Sequence, residues 1–151
     1  MRIIRSVVAV LLLAALTLAA PIVVGVAGAQ DCSRVVDETD NINVAEVEAA
    51  ASAVAGADAR VYIFASVPDG DIAAAADELI AGCYSDGPAG RQFDLVLIAV
   101  SIGDRQTTVQ YGGEHNVELG STEAGIQSDV INPRLADGDF TAAMVDGLEA
   151  I

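Results

Sequence analysis

The sequence contains no lysine, a single histidine and two cysteines. Each scarcity removes a chemistry. Without lysine there is no Schiff base, no phosphate-loop lysine and no Ser–Lys dyad. His115 alone cannot supply a centre that needs two imidazoles, and two thiols cannot build a four-thiolate zinc site. Basic residues are few as well: seven, all arginine, against 22 acidic ones in 151 residues, for a formal net charge of −15. A chain of that sign has no electrostatic footprint for nucleic acid. Hydrophobic residues make up 53%, too many for a disordered acidic protein. The length suits one domain.

The first 29 residues have the grammar of a secretory signal peptide. Arg2 and Arg5 form a short positive region, and an apolar run follows from Val7 to Val26, broken only by Thr17, Pro21 and Gly25. Ala27-Gly28-Ala29 is a small-x-small cleavage site ahead of Gln30. The alternative is an uncleaved N-terminal anchor, because the run is nearly long enough to span a bilayer. Either way the sequence places residues 30–151 outside the cytoplasm, secreted or anchored, with membrane association only in the uncleaved case. The exported part keeps five arginines against all 22 acids, a net −17. In an oxidising compartment Cys32 and Cys83 read as one disulfide closing a loop of about 50 residues. Two free thiols or a redox pair are the alternatives, and no C-x-x-C spacing supports redox work.

Along the exported part, Arg34-Val35-Val36 reads as extended. Asn43 with Glu46 resembles a capping box, and Val44, Val47, Ala51 and Val54 recur at helical spacing up to about Ala55, before Gly56. Val61 to Val67 is a continuous apolar run, as in a strand buried on both faces. Pro68-Asp69-Gly70 stops it, and Asp71 caps a helix with Ile72, Ala76, Leu79, Ile80 and Cys83 on one face. Ser85 to Gly90 is a Gly/Pro loop. Leu95 to Val100 is a second two-faced strand, Gly103-Asp104 a two-residue hairpin turn, and Arg105 to Tyr111 an alternating antiparallel partner. Ser121-Thr122-Glu123 opens a helix bearing Ile126, Val130 and Ile131, which Asn132-Pro133 ends or kinks. Asp139 caps a last helix carrying Phe140, Met144, Leu148 and Ile151. The order predicts an α/β fold, a small mixed sheet sandwiched between helical layers.

Several short segments, in order, resemble the TPM domain family. Val35-Val36-Asp37 stands where the family has a hydrophobic pair and Asp. Asp94-Leu95-Val96-Leu97-Ile98-Ala99 resembles its D-x-G-hydrophobic strand, and Gly103-Asp104-Arg105 its hairpin D-R. Tyr111-Gly112-Gly113-Glu114 resembles its G-Y-G-x-E, and Ile131-Asn132-Pro133-Arg134-Leu135 with Gly138-Asp139-Phe140 its I-x-P-x-F and G-D-Y. Gln110 replaces the first Gly of G-Y-G, Leu95 the usual Gly after Asp94, and Thr122-Glu123 stands near a customary L-T-D. The resemblance implies an α/β/α sandwich over Arg34 to Ile151. It also implies calcium binding, as in some members, and the acid phosphatase activity attributed to a plant member.

Calcium takes six to eight hard oxygen ligands. Asp94 begins one strand and Glu114 follows its antiparallel neighbour, so the two share an edge of the sheet. Asp37, with Asp40, joins them if the leading segment crosses there. The candidate cation site is therefore Asp37, Asp94 and Glu114, and the alternative is strand-end carboxylates that are solvated or paired with Arg60 or Arg105. No EF-hand loop is present. The D-G-D loops at Asp69 and Asp137 read as helix caps. Cys83 to Arg91 is too long for a C-x5-R phosphate loop, and His115 reads as a solvent-facing loop residue. Two functions remain. One is a non-catalytic extracytoplasmic module that binds calcium or an envelope protein partner. The other is a metal-dependent acid phosphatase acting on phosphate monoesters, against which the charge of −17 argues unless cations bridge enzyme and substrate.

Overall fold

A computed structural model describes residues 31–86 and 90–151; the export segment read over residues 1–29 lies outside the described residues. Four strands form one mixed sheet in the order β1 (Val35–Asp37), β2 (Asp58–Phe64), β3 (Leu95–Ser101), β4 (Gln106–Tyr111). The first three run parallel and β4 is antiparallel to β3. Helix α1 (Val44–Ala53) joins β1 to β2, and α2 (Ile72–Cys83) joins β2 to β3. Such crossovers leave both faces of the sheet covered. On one face Ala59, Val61, Ile63, Val96, Ile98 and Val100 pack against α1 and the C-terminal helices. On the other, Tyr62, Leu95, Leu97 and Ala99 pack against Ile72, Ala76, Leu79 and Ile80 of α2. Every residue of β3 is buried, as its unbroken apolar run requires.

The helix starts are those the caps dictate. Asn43 Oδ1 accepts from the Glu46 amide and Asn43 Nδ2 donates to Glu46 Oε2, but the Asn43 amide donates to Thr141 Oγ1, so the cap forms without the reciprocal half of a capping box. Asp71 accepts from the Ala74 amide and Asp139 from the Ala142 amide. Each cap satisfies an amide with no partner inside its helix, a contribution of about 1 kcal/mol.

Three local expectations are corrected by tertiary contacts. β2 begins at Asp58 and ends at Phe64, three residues earlier than its apolar run. Its polar start is held by the Arg60 guanidinium, which donates to both oxygens of Asp58 at 2.9 and 2.8 Å and lies over the Tyr84 ring. Its end comes early because the Ala65 amide donates to Glu38 and the Val67 amide to Asp104 instead of to a strand. The hairpin spans Ile102 to Arg105 rather than two residues. Gly103 lies against β2's exit, its amide donating to the Ala65 carbonyl, and Arg105 takes the positive φ of 54°.

Pro133 does not end the third helical region either. A 3-10 turn at Gly113–His115 and α3 (Asn116–Leu119) precede α4 (Glu123–Gly125). A π-helical segment, Ile126–Ile131, then leads into α5 (Asn132–Ala136). In an α-helix, residues five apart point about 140° away from each other. The i→i+5 spacing of a π segment brings Ile126 and Ile131 onto one side, and both are buried. Pro133 then sits in the first turn of α5, where its missing N–H costs little. Helix α6 (Phe140–Glu149) follows, with Met144 and Leu148 in the core.

Cys32 and Cys83 form a disulfide, with Cα atoms 5.4 Å apart. It ties the segment ahead of β1 to the end of α2. The Tyr84 hydroxyl adds a hydrogen bond to the Ser33 carbonyl. Disulfides persist where the surroundings are oxidising, so the bridge points to an extracytoplasmic environment. No helix among the described residues is long and apolar enough to cross a membrane.

Candidate functional site

In α/β sheets ligands bind beyond the carboxyl ends of the parallel strands. Here β1, β2 and β3 end side by side at Asp37, Phe64 and Ser101. The three loops that follow are shaped by carboxylates accepting from the backbone. Asp37 Oδ1 accepts from the amide and hydroxyl of Thr39 at 2.8 and 2.6 Å, and Oδ2 from the Ile42 amide at 2.9 Å. Glu38 accepts from the Tyr62 hydroxyl and the Ala65 amide. Asp104 Oδ2 accepts from the Val67 amide at 2.8 Å and the buried Ser101 hydroxyl at 2.6 Å. The phenol of Tyr62 is pushed up to about 12, first by burial and then by its bond to Glu38 and the charge of that group.

Partial burial alone would raise the pKa of Asp37, but the bonds from the Thr39 side chain and from the Ile42 and Thr39 amides outweigh it and bring it below the usual carboxylate value. The Ser101 hydroxyl and the Val67 amide likewise lower Asp104. Groups lowered on folding contribute stability that is present above their unfolded values, near 3.8. That contribution is lost as the pH falls through the lower folded values. The unfolding midpoint should therefore hold from pH 7 to about 5 and fall progressively below pH 4, and part of that acid-dependent loss should be absent in Asp37→Ala. Thermal melts of both proteins across this range check it; parallel pH profiles would contradict the assignment.

Among the described residues three that are not glycine have positive φ: Asp40 at 55°, Asp69 at 55° and Arg105 at 54°. One lies in each of these three loops. Asp tolerates this conformation; a long side chain such as Arg adopts it rarely, at a cost on the order of 1 kcal/mol. Such strain gathers at functional sites. Beside Arg105 opens a cleft of about 560 Å³, lined by Val100, Ser101, Ile102, Arg105, Gln106, Thr107, Asn132, Leu135, Ala136 and Phe140. Thr107 donates to Asn132 Oδ1 across it at 3.0 Å, joining β4 to α5.

The opposite edge holds the other expected ligands. Asp94 immediately precedes β3, and the Glu114 amide donates to the Phe93 carbonyl, so Asp94 and Glu114 share an edge as the hairpin requires. Gln92 Nε2 donates to both Asp94 and Asp58 there. Asp37 does not join them. Its segment runs parallel to β2 instead of crossing this edge, and the register carries Asp37 to Ile63 and Ile63 to Val100. Val100 is six residues beyond Asp94, about 20 Å at the rise of a strand. Asp40 follows Asp37 to that far edge. Among the described residues no group of three or more His, Cys, Asp or Glu is placed to hold a metal. His115 is buried rather than solvent-facing, with Nε2 3.2 Å from the Asp94 carbonyl oxygen. It lines a second cavity, of about 340 Å³, with Glu118 and Glu149. Glu114 is exposed, beside the exposed Phe93.

Sequence reasoning missed the loop-holding roles of Glu38 and Asp104, and the cleft itself. A carboxylate just past a strand's end is the signal they left, but the amides they reach are 27 and 37 positions away.

The fold has known counterparts. The solution structure of the N-terminal domain of the cg2496 protein from Corynebacterium glutamicum superposes with a TM-score of 0.60 at 16% identity, over 78% of this chain and 76% of that one. The N-terminal domain of a P. gingivalis protein superposes equally well, at 17% identity over 80% of each chain. At these identities the likeness is one of fold. No curated protein matches the chain. The family profile described as TPM domain matches residues 30–151, all of the described structure, and the chain belongs to the TPM domain family.

Proposed function

We propose that this TPM domain is a non-catalytic extracytoplasmic binding module, secreted or anchored by its N-terminal segment, that receives a ligand or an envelope protein partner in the cleft beside Arg105. The observation that carries the reading is a formed cleft at the strand-end edge, entered by the hairpin loop whose Arg105 holds a strained positive φ. The size of the cleft falls within the range of small-molecule sites. The carboxylates at the ends of β1 and β3 support binding over catalysis, because Asp37 and Asp104 are occupied in shaping loops. The single imidazole belongs to the opposite edge, out of reach of Ser101 and Asp104.

Calcium rests on the family resemblance, and of its candidate ligands only Asp94 and Glu114 share an edge. They supply too few oxygens for a site of their own. The competing acid phosphatase reading has in its favour the activity attributed to a plant member of the family. One set of measurements on the exported domain separates these readings. Backbone amide NMR spectra are recorded with a fragment library and with calcium, and p-nitrophenyl phosphate hydrolysis is followed with and without calcium. The binding module predicts saturable shifts grouped at residues 100–107 and 132–140, and no turnover above the blank. Turnover abolished by Asp94→Ala would replace it with the phosphatase. Saturable calcium shifts at Asp94 and Glu114 would add the cation, and none at millimolar calcium would remove it.

A further inference from the structure

The cleft has a charge unlike that of the domain around it. The exported chain carries 22 acids, yet none of the ten residues lining the cleft is acidic. The one charged residue among them is Arg105. Of the five described arginines, Arg34 and Arg60 pair with Asp58, Arg91 with Asp77 and Arg134 with Asp146. Arg105 is the only one of the five without a carboxylate at ion-pair distance. In a domain with so many carboxylates, an unpaired guanidinium at a cleft is conspicuous. The neighbouring Asp104 does not neutralise it by contact, since its Oδ2 accepts from Val67 and Ser101 on β2's side of the turn.

The fold also fixes the backbone that carries the cation. Gly103 is pressed against Ala65, where an added Cβ would lie 2.7 Å from the carbonyl oxygen. The hairpin is thereby held onto the exit of β2, and Arg105 turns the chain through its positive φ at the start of β4. Behind it the walls are of two kinds. Ile102, Leu135, Ala136 and Phe140 are apolar, while Thr107 and Asn132 bring polar side chains, already bonded to each other. The Gln106 side chain lies on the other face of the sheet, where its Oε1 accepts from the Ile72 amide at the start of α2. A guanidinium pairs with a carboxylate through two parallel hydrogen bonds, and the apolar wall favours a ligand with a hydrocarbon body.

From this we infer that the cleft takes a small ligand joining one carboxylate to an apolar body, with Arg105 holding the carboxylate and Ile102, Leu135 and Phe140 the body. The inference rests on the cleft being the functional site and names the chemistry of its occupant. That chemistry has two sources, the C-terminus of a peptide ending in an apolar residue and a free aliphatic carboxylate.

The test is an amide NMR titration of the disulfide-bonded domain with hexanoate, N-acetyl-leucine, hexanamide and inorganic phosphate. Hexanoate or N-acetyl-leucine should shift residues 100–107 and 132–140 saturably, and the tighter of the two names the source. Removing the charge from either side, in hexanamide or in Arg105→Gln, should weaken binding about tenfold, the weight of a charge-assisted hydrogen bond. Arg134→Gln, which breaks a surface pair outside the cleft, should bind as the parent does. An unchanged melting midpoint and a dispersed spectrum establish that Arg105→Gln is folded. Equal affinity for hexanoate and hexanamide, or no effect of Arg105→Gln, overturns the carboxylate assignment while leaving the cleft as a binding site. Phosphate binding there more tightly than either carboxylate overturns it too. Fragments that bind the cleft while both carboxylates leave it unshifted also defeat the inference alone; no shift there with any probe defeats the parent reading as well.

Discussion

Replacing Cys32 and Cys83 together by alanine should lower the unfolding midpoint by about 12–16 °C. The two residues are 51 positions apart. Closing a loop of that size removes entropy from the unfolded chain worth about 4 kcal/mol in the chain-entropy treatment. A domain of this length loses roughly 4 °C of midpoint per kcal/mol. The native side of the balance points the same way. β1 has three residues and pairs with β2 alone, at the edge of the sheet. The bridge, the Tyr84 bond to Ser33 and the contact of Arg60 with the Cys32 carbonyl help to hold its leading segment, alongside the bonds of Arg34 to β2. Without the bridge the amides of β1 should exchange with solvent well before those of β3. Circular dichroism melts with and without reductant, and hydrogen exchange by residue, measure both effects. A midpoint unmoved by reduction would mean that the unfolded chain gains little freedom, and the entropic account would fail.

The second large effect is expected at Gly112. Its φ of −79° is open to any residue, so torsion does not require glycine there. Space does. An alanine Cβ would fall on the backbone carbonyls of Gln92 and Phe93. Neither carbonyl is free to retreat, because Gln92 O accepts from the Leu95 amide and Phe93 O from the Glu114 amide. Gly112 itself donates to the Leu95 carbonyl at 2.8 Å. Gly112→Ala should therefore displace the segment before β3 or the end of β4, and cost about 3 kcal/mol. Gly113→Ala is the natural contrast. There the new Cβ meets only the Phe93 ring, at 3.0 and 3.2 Å, and that residue is 62% exposed and can turn aside. Its cost should stay below about 1 kcal/mol. Urea unfolding of the two variants reads the difference from the midpoints at constant slope. Equal losses would show that the close approach is not what selects Gly112.

These two effects differ in how far the sequence disclosed them. The disulfide was legible from two cysteines behind an export signal. The requirement at Gly112 was visible only as part of a family motif, because the carbonyls that exclude a Cβ come from another segment. The same division runs through the candidate site. Asp94 and Glu114 could be set on one edge because a hairpin between neighbouring strands forces it. Asp37 could not, because nothing local says whether the leading segment pairs in parallel with β2 or crosses the opposite edge. His115 looked like a loop residue open to solvent and is buried, since a 3-10 turn folds it back toward the Asp94 carbonyl.

What the sequence determined by itself is whatever acts over a few residues or through simple counting. Periodicity set the α/β order, caps set the helix starts at Asn43, Asp71 and Asp139, and the excess of acids set the charge. Only the tertiary structure decided how that charge is distributed. It spends Asp37, Glu38 and Asp104 on amides of the loops, matches four arginines to carboxylates, and leaves Arg105 alone on an acid-free cleft. The physical reason is range. A cap or an alternating strand is satisfied by neighbours in the chain, whereas the field in a cleft depends on residues from distant segments, and the order of the strands decides which of them meet.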